Sequence, residues 1–417
     1  MNLSSQVSSF FQNSLRAMKS RNYRLFFFGQ GISLIGTWIQ RVAMSWLVYR
    51  ITNSAMLLGT VEFVGMLPTF LLAPFTGVLA DRWNRHTMML GTQIGFTLSA
   101  LALGLLVVTE IVQVWHILVL SAISGIVMAF DVPARQSLVV DMVEDKRDLG
   151  NAIALNSTMF NGARLVGPSI AGLVIAAFGE WVCFFINAAT FVAVIAALLA
   201  MKIAPRTTNG THRKVLVELK EGAVYAYRTV PIRATLILMA FVSVVGMSYM
   251  TLLPVFAKDV LQGGPDTLGF LMAITGVGAV GGAFYLASRK DNLTIDWQIP
   301  ASLMLLGLGL LALGGSRIVW LSYAIVLVTG FAQMVIIASS NTVIQTVVDE
   351  DKRGRVMSLY AMAFMGMAPF GSLYAGTSAK LFTAPVAVIA SGVLCVFGAV
   401  LFTVRLPSLR KMTAGPA

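Results

Sequence analysis

Three ionisable residues fall inside otherwise apolar stretches of the first half of the chain: Arg41, Glu62 and Arg164. A charge at membrane depth is costly, and it marks a functional site by default. Counting along helices from their outer ends places Arg41 roughly 14 Å, Glu62 roughly 11 Å and Arg164 roughly 21 Å deep. Glu62 is then the lone carboxylate at that level. A carboxyl pulled between the attraction of nearby cations and the cost of desolvation is what a proton-coupled switch requires. On this reading Glu62 takes up and releases a proton, and Arg41 and Arg164 are its counter-charges or contacts for an anionic substrate. The competing reading is a structural ion pair that fixes three helices.

Polar residues at helical spacing extend the same theme. Gln30, Thr37, Trp38, Arg41 and Ser45 form a stripe in the first apolar run, and Ser157, Asn161 and Arg164 share a face in the fifth. Gln333, Asn341 and Gln345 do so in the tenth. Such stripes suit the wall of a water-filled cavity. The second half has no clear charge within its apolar runs. Its eleventh run instead carries Met362, Phe364 and Met365 among further methionines and aromatics, an adaptable surface for a lipophilic or varied substrate.

The elements that must hold these residues follow from composition. Of 417 residues, 57% are hydrophobic and only 12% charged, against about 25% charged in soluble domains. That apolar surface must face lipid. A transmembrane helix takes about 20 residues, and the chain divides into twelve expected spans at 24–50, 56–80, 88–109, 113–138, 149–178, 181–203, 232–257, 266–287, 296–314, 319–346, 355–380 and 385–405. The expected fold is an all-α membrane protein of two six-helix pseudo-symmetric bundles, at 24–203 and 232–405. A linker over 204–231, with an amphipathic stretch around Val215, Leu219 and Val224, divides them. Residues 1–23 read as an interfacial segment, with Leu3, Val7, Phe10 and Phe11 at helical spacing, and 406–417 as a tail. With both termini cytoplasmic, 24 of the 30 Lys and Arg fall on the cytoplasmic side, the bias that sets membrane orientation. The net charge of +12 is therefore topological and implies no nucleic acid.

The chain also repeats itself. Glu144, Asp145, Lys146 and Arg147 recur as Glu350, Asp351, Lys352 and Arg353, 206 residues later, and the same offset maps the spans of one half onto the other. Parallel repeats of this kind put the substrate path between the halves.

Gly77, Asp81, Arg82 and Arg85 resemble the signature between the second and third spans of the major facilitator superfamily, with Asn84 where a second glycine is usual. Gly162, Gly167, Pro168 and Gly172 in the fifth span resemble the antiporter signature of its drug exporters, Ala171 replacing one glycine. Ser54 to Gly59, Asp131 to Gln136 and Asn151 to Asn156 are similar to the subgroup of enterobactin exporters and related drug or siderophore exporters. The resemblance implies the major facilitator fold, alternating access and export. Physically, Asp81 at a helix end can face the positive N-terminus of a neighbouring helix, and Arg82 and Arg85 can pair with Asp131, Asp141 or Glu144. Asp131 and Arg135 share a helix face at i,i+4. Together these residues read as a cytoplasmic latch, or as ordinary interfacial ion pairs. The small residues of the fifth span permit close packing that seals against leak.

The resulting expectation is a secondary active transporter of the bacterial inner (plasma) membrane: a proton-coupled exporter of small amphipathic organic molecules, embedded in lipid as a monomer. A lysophospholipid transporter and a transport-inactive sensor or scaffold are the alternatives. No enzyme is expected. The sequence has no metal-ligand spacing, no phosphate loop and no nucleophile with a base, so neither cofactor nor metal is called for.

Overall fold

The computed structural model describes residues 15–202, 215–289 and 295–413, apart from the side chains of a few helical residues. Leu3, Val7, Phe10 and Phe11 lie outside them. Every regular element among the described residues is helical. In chain order these are α1 (Arg21–Thr52), α2 (Ala55–Arg82), α3 (Arg85–Val108), α4 (Val114–Met142), α5 (Leu149–Phe178) and α6 (Glu180–Ala200). They continue with α7 (Val215–Arg228), α8 (Val230–Val260), α9 (Pro265–Ala287), α10 (Ile295–Gly315), α11 (Val319–Val347), α12 (Arg353–Leu381) and α13 (Ala384–Thr413). Eleven of the described helices are long and apolar enough to cross a membrane. In lipid every backbone N–H and C=O must be satisfied within the segment, which leaves the helix as the solution for such runs. α1 carries Arg21, Arg24, Arg41 and Arg50 along its 32 residues.

The connections are short. α1 and α2 are joined by Asn53 and Ser54, with Asn53 at φ +48°, a left-handed conformation that asparagine tolerates better than most residues. Gly179, at φ +88°, turns α5 into α6. Asn84 caps α3, its side chain accepting from the backbone N–H groups of His86 and Thr87.

The chain forms two compact units, one of 1–44 with 71–210 and the other of 45–70 with 211–417. In the first, α3 packs on α6 and on α4, with Phe96 and Phe191 stacked at 5.2 Å. In the second, α10 packs on α13 and on α11. These are the pairs that the 206-residue offset maps onto one another. The repeat extends to the segments that enter each set of helices. Residues 17–23 dock on the corner between α4 and α5 through Ala17 N–H to Asn151 Oδ1 (3.0 Å), Ser20 Oγ to the Met142 carbonyl (2.6 Å) and the Tyr23 hydroxyl to the Ala152 carbonyl (2.8 Å). In the second unit, α7 docks on the corner between α11 and α12 through the Glu221–Arg355 ion pair at 2.9 Å and the Asp349 N–H to the Tyr225 hydroxyl at 3.3 Å. Residues 45–70, read from sequence with the first half, pack in the second unit.

Two π-helical turns interrupt α8, at Val242–Gly246 and Phe256–Val260, and one interrupts α12 at Met362–Gly366. Such turns are frequent at functional sites. Here Ser243 Oγ donates to the Phe364 carbonyl at 2.6 Å, so a side chain from one π turn satisfies a backbone group in the other.

Candidate functional site

Glu62 lies on α2 in the second unit, within a span of 55–73. Its Oε2 accepts from Thr251 Oγ1 of α8 at 2.9 Å and from Ser372 Oγ of α12 at 2.8 Å. The two hydroxyls lie 3.2 Å apart. Among the described residues no Lys or Arg stands within ion-pair distance of this carboxylate.

The contact exists because α2 and α12 approach at backbone distance just beside it. A Cβ on Gly59 would run into the Ser372 carbonyl and reach Gly376 Cα at 3.1 Å, and a Cβ on Gly376 would meet the Ala55 carbonyl at 2.7 Å. Small residues at such a crossing let two membrane helices touch through their backbones. In the other direction the seam is aromatic. Phe370 packs edge-on against Phe63 at 5.8 Å and Phe70 at 6.1 Å. Beyond the glycine end, α1 and the turn after it are tied to α8 by the Tyr49 hydroxyl donating to Asp259 Oδ2 and by Lys258 Nζ donating to Asn53 Oδ1 at 2.6 Å.

Arg41 and Arg164 belong to the first unit. Arg41 is exposed, with its guanidinium 5.2 Å from the Trp38 ring centroid. Trp38 is buried, against Phe160 at 6.4 Å and beneath Gly167, where a Cβ would come within 2.5 Å of the Trp38 Cβ. Gly167, Pro168 and Gly172 are buried on α5, whereas Gly162 is exposed and a Cβ there would meet open space. Arg164 is half-buried between them.

A second carboxylate network sits at the end of α3 and α4 that the charge bias assigns to the cytoplasm. Asp131 is 3% exposed. Its Oδ1 accepts from Thr92 Oγ1 at 2.9 Å and Gln93 Nε2 at 2.8 Å, and its Oδ2 faces Arg135 at 3.5 Å. Arg85 pairs with Asp141 at 3.0 Å. The structure thus brings four of the residues expected to form a latch into ion pairs. For Gly77, Asp81 and Arg82 only the helical backbone at the end of α2 falls within the described residues. An unforeseen groove of about 660 Å³ opens beside this network, lined by Trp83, Thr87, Thr92, Val127 and Phe130.

The expected cavity residues divide. Gln30 and Gln333 are buried, Gln333 with neither end of its amide partnered. Ser45 is half-buried. Asn161 donates to the Ser157 carbonyl of its own helix, and Asn341 accepts from Gln345. Met362 and Met365 are exposed, Phe364 half-buried. Among the described residues no cluster of His, Cys, Asp or Glu is placed to hold a metal ion. Thr251, Ser372, Gly59 and Gly376 were missed as a site. The signal available for them was small and polar residues in apolar runs, which occurs in nearly every span.

The profile of the family described as transmembrane secretion effector matches residues 12–416. The chain belongs to that family. This secretion-effector chain is therefore a transporter of the major facilitator superfamily rather than an enzyme, and a multi-pass protein of the plasma membrane. It is 26% identical to the staphyloferrin A transporter of Staphylococcus aureus over 366 residues, 86% of this chain and 90% of that one. It is 25% identical to the multidrug efflux pump Tap of Mycolicibacterium fortuitum, over 82% of this chain and 85% of that one. Among solved structures, a bacterial homologue of the human lysosomal transporter Spinster, in an inward-facing and unoccupied conformation, superposes with a TM-score of 0.77. It covers 95% of this chain and 99% of its own at 14% identity, a likeness of fold alone.

Proposed function

We propose that this transporter is a proton-coupled exporter of amphipathic small molecules, drugs or a siderophore, working by alternating access, and that Glu62 carries the proton. The observation that carries the reading is a carboxylate inside a spanning helix held by two neutral hydroxyls, Thr251 and Ser372. A carboxyl held this way can gain or lose a proton without stranding an unpaired cation in the membrane, the costly outcome for a buried ion pair that loses one charge. Hydroxyls also donate or accept as needed, so they can serve both protonation states.

Further features support the remaining parts of the reading. The relatives transport a siderophore or pump out drugs by name. Exposed Arg41, stacked on Trp38, and half-buried Arg164 suit anionic groups of a substrate. The exposed Met362 and Met365 suit its apolar part. Arg85–Asp141 and Asp131–Arg135 form the latch on the cytoplasmic side. Twelve spans, both termini inside and a monomeric carrier complete the proposal.

The test is flux in proteoliposomes with an imposed pH gradient, across a panel of dyes, siderophores and lysolipids. The parent chain should move dyes or siderophores in response to the gradient, and Glu62→Gln should abolish that response while the protein still inserts and folds. Gradient-driven flux that survives Glu62→Gln would remove the coupling role. Flux confined to lysolipids would move the reading to lipid transport, and no pH-dependent flux of any compound would favour a sensor.

A further inference from the structure

Over residues 221–228, helix α7 has one face covered and one face free. Gly222 and Ala226 are buried, and a Cβ on Gly222 would come within 2.9 Å of the Arg355 Cβ. On the same side Glu221 pairs with Arg355 and the Lys352 ammonium lies 4.5 Å from the Tyr225 ring centroid. The other side presents Ala223, Val224, Tyr227 and Arg228, with Val224 43% and Tyr227 69% exposed. Arg233, in the first turn of α8, lays its guanidinium 5.1 Å from the Tyr227 ring centroid and donates to the Tyr227 carbonyl at 3.2 Å. Among the described residues neither Arg228 nor Arg233 is paired with a carboxylate.

The height of this face is fixed by the chain. Thr229, in extended conformation, is the single residue between α7 and the spanning helix α8. The free face therefore lies where the hydrocarbon core gives way to headgroups. An aromatic ring, an aliphatic side chain and two cations at that level match an anionic lipid surface. The planar guanidinium also matches a phosphate, two N–H groups to two oxygens.

We infer that the free face of α7 binds the headgroups of anionic phospholipids, with Val224 and Tyr227 entering the interface and Arg228 and Arg233 taking the phosphates. Lipid on one face and the α11–α12 corner on the other then hold α7 in place together. This inference stands apart from the proton-coupling role of Glu62.

The experiment uses the full chain in nanodiscs of phosphatidylcholine alone or with added phosphatidylglycerol. Two quantities are read: phosphatidylglycerol retained by the protein in native mass spectrometry, and hydrogen exchange of the α7 amides. Phosphatidylglycerol should slow α7 exchange in the parent chain, and high salt should erase the difference. The double variant Arg228→Gln with Arg233→Gln should lose the protection and retain roughly tenfold or more less phosphatidylglycerol. The charge-preserving Arg228→Lys with Arg233→Lys should lose the paired N–H contacts but keep clearly more of both than the glutamine pair, which separates charge from folding. Glu221→Gln, on the docked face, should speed α7 exchange equally in both lipid mixtures and leave retention unchanged. Equal α7 exchange with and without phosphatidylglycerol, or undiminished retention by the double glutamine variant, would overturn the inference.

Discussion

Two carboxylates sit on membrane-embedded helices, and their surroundings are opposite. Asp131 of the first unit is almost fully buried and saturated: a hydroxyl and an amide donate to one oxygen, and a guanidinium faces the other. Glu62 of the second unit is half-exposed and held by hydroxyls alone. A carboxylate with a fixed cation and amide donors is committed to its charge, because protonation would leave those donors and the cation badly matched. One held by hydroxyls is not so committed. Under the function proposed above, the difference would separate a structural ion pair from the proton-carrying group, although composition alone ranks the two residues equally.

The contrast can be broken in order of effect. Exchanging the chemistries should give the largest one: Glu62→Gln is expected to abolish gradient-driven flux, whereas Asp131→Asn should leave the dependence on the gradient in place. Equal loss in both variants would erase the distinction. Next, Asp131→Ala should lower stability by about 3 kcal/mol, because it strands Arg135 beside a partly desolvated site. Thermal unfolding of the purified protein reads this, and an unchanged midpoint would show the pair to be solvated. A smaller loss, about 1–2 kcal/mol, is expected for Thr251→Val or Ser372→Ala, each of which removes one donor to the Glu62 carboxylate. Because both donate to the same oxygen, the double variant should deviate from additivity, and strict additivity would mean that the hydroxyls act separately.

The smallest effect lies at the exposed corner that holds α7. The Lys352 ammonium first, and the Tyr225 hydroxyl second, keep the Asp349 carboxyl below its ordinary range. A depressed carboxyl contributes its share of docking above the ordinary carboxylate range, and that share fades as pH falls through the lowered value. Only the Tyr225 part bears on α7, so the protection of α7 amides, relative to their intrinsic exchange at each pH, should fall slightly in acid in the parent chain. In Asp349→Asn the acid-dependent loss of protection should be smaller than in the parent chain, and an equal loss would remove Asp349 from the docking.

The seam at Glu62 also shows what could be read from residues alone. Glu62 was legible because a carboxylate in a run such as 56–80 has few bland explanations. Its partners were not. Thr251 and Ser372 are ordinary polar residues of apolar helices, 121 positions apart, and only the packing of α2, α8 and α12 brings them to one oxygen. The position of Arg41 in the sequence allows a counter-charge of Glu62 or a contact for an anionic substrate, and the structure stacks its guanidinium on Trp38. The pairs Arg85–Asp141 and Asp131–Arg135 were within reach of sequence because the loop signature and the i,i+4 spacing constrain them.

What the sequence by itself determined is therefore the membrane class, the helical runs, the repeat with its offset and the titratable residues worth testing. Hydropathy and charge act over whole segments, and a segment needs no knowledge of its neighbours to be apolar. Tertiary structure alone decided that residues 45–70 pack with the second unit, that Glu62 answers to hydroxyls, and that α7 keeps one face for the protein and one for its surroundings. Those outcomes depend on which backbones come within a few ångströms of each other. Packing between distant helices fixes that distance, and no local pattern in the chain encodes it.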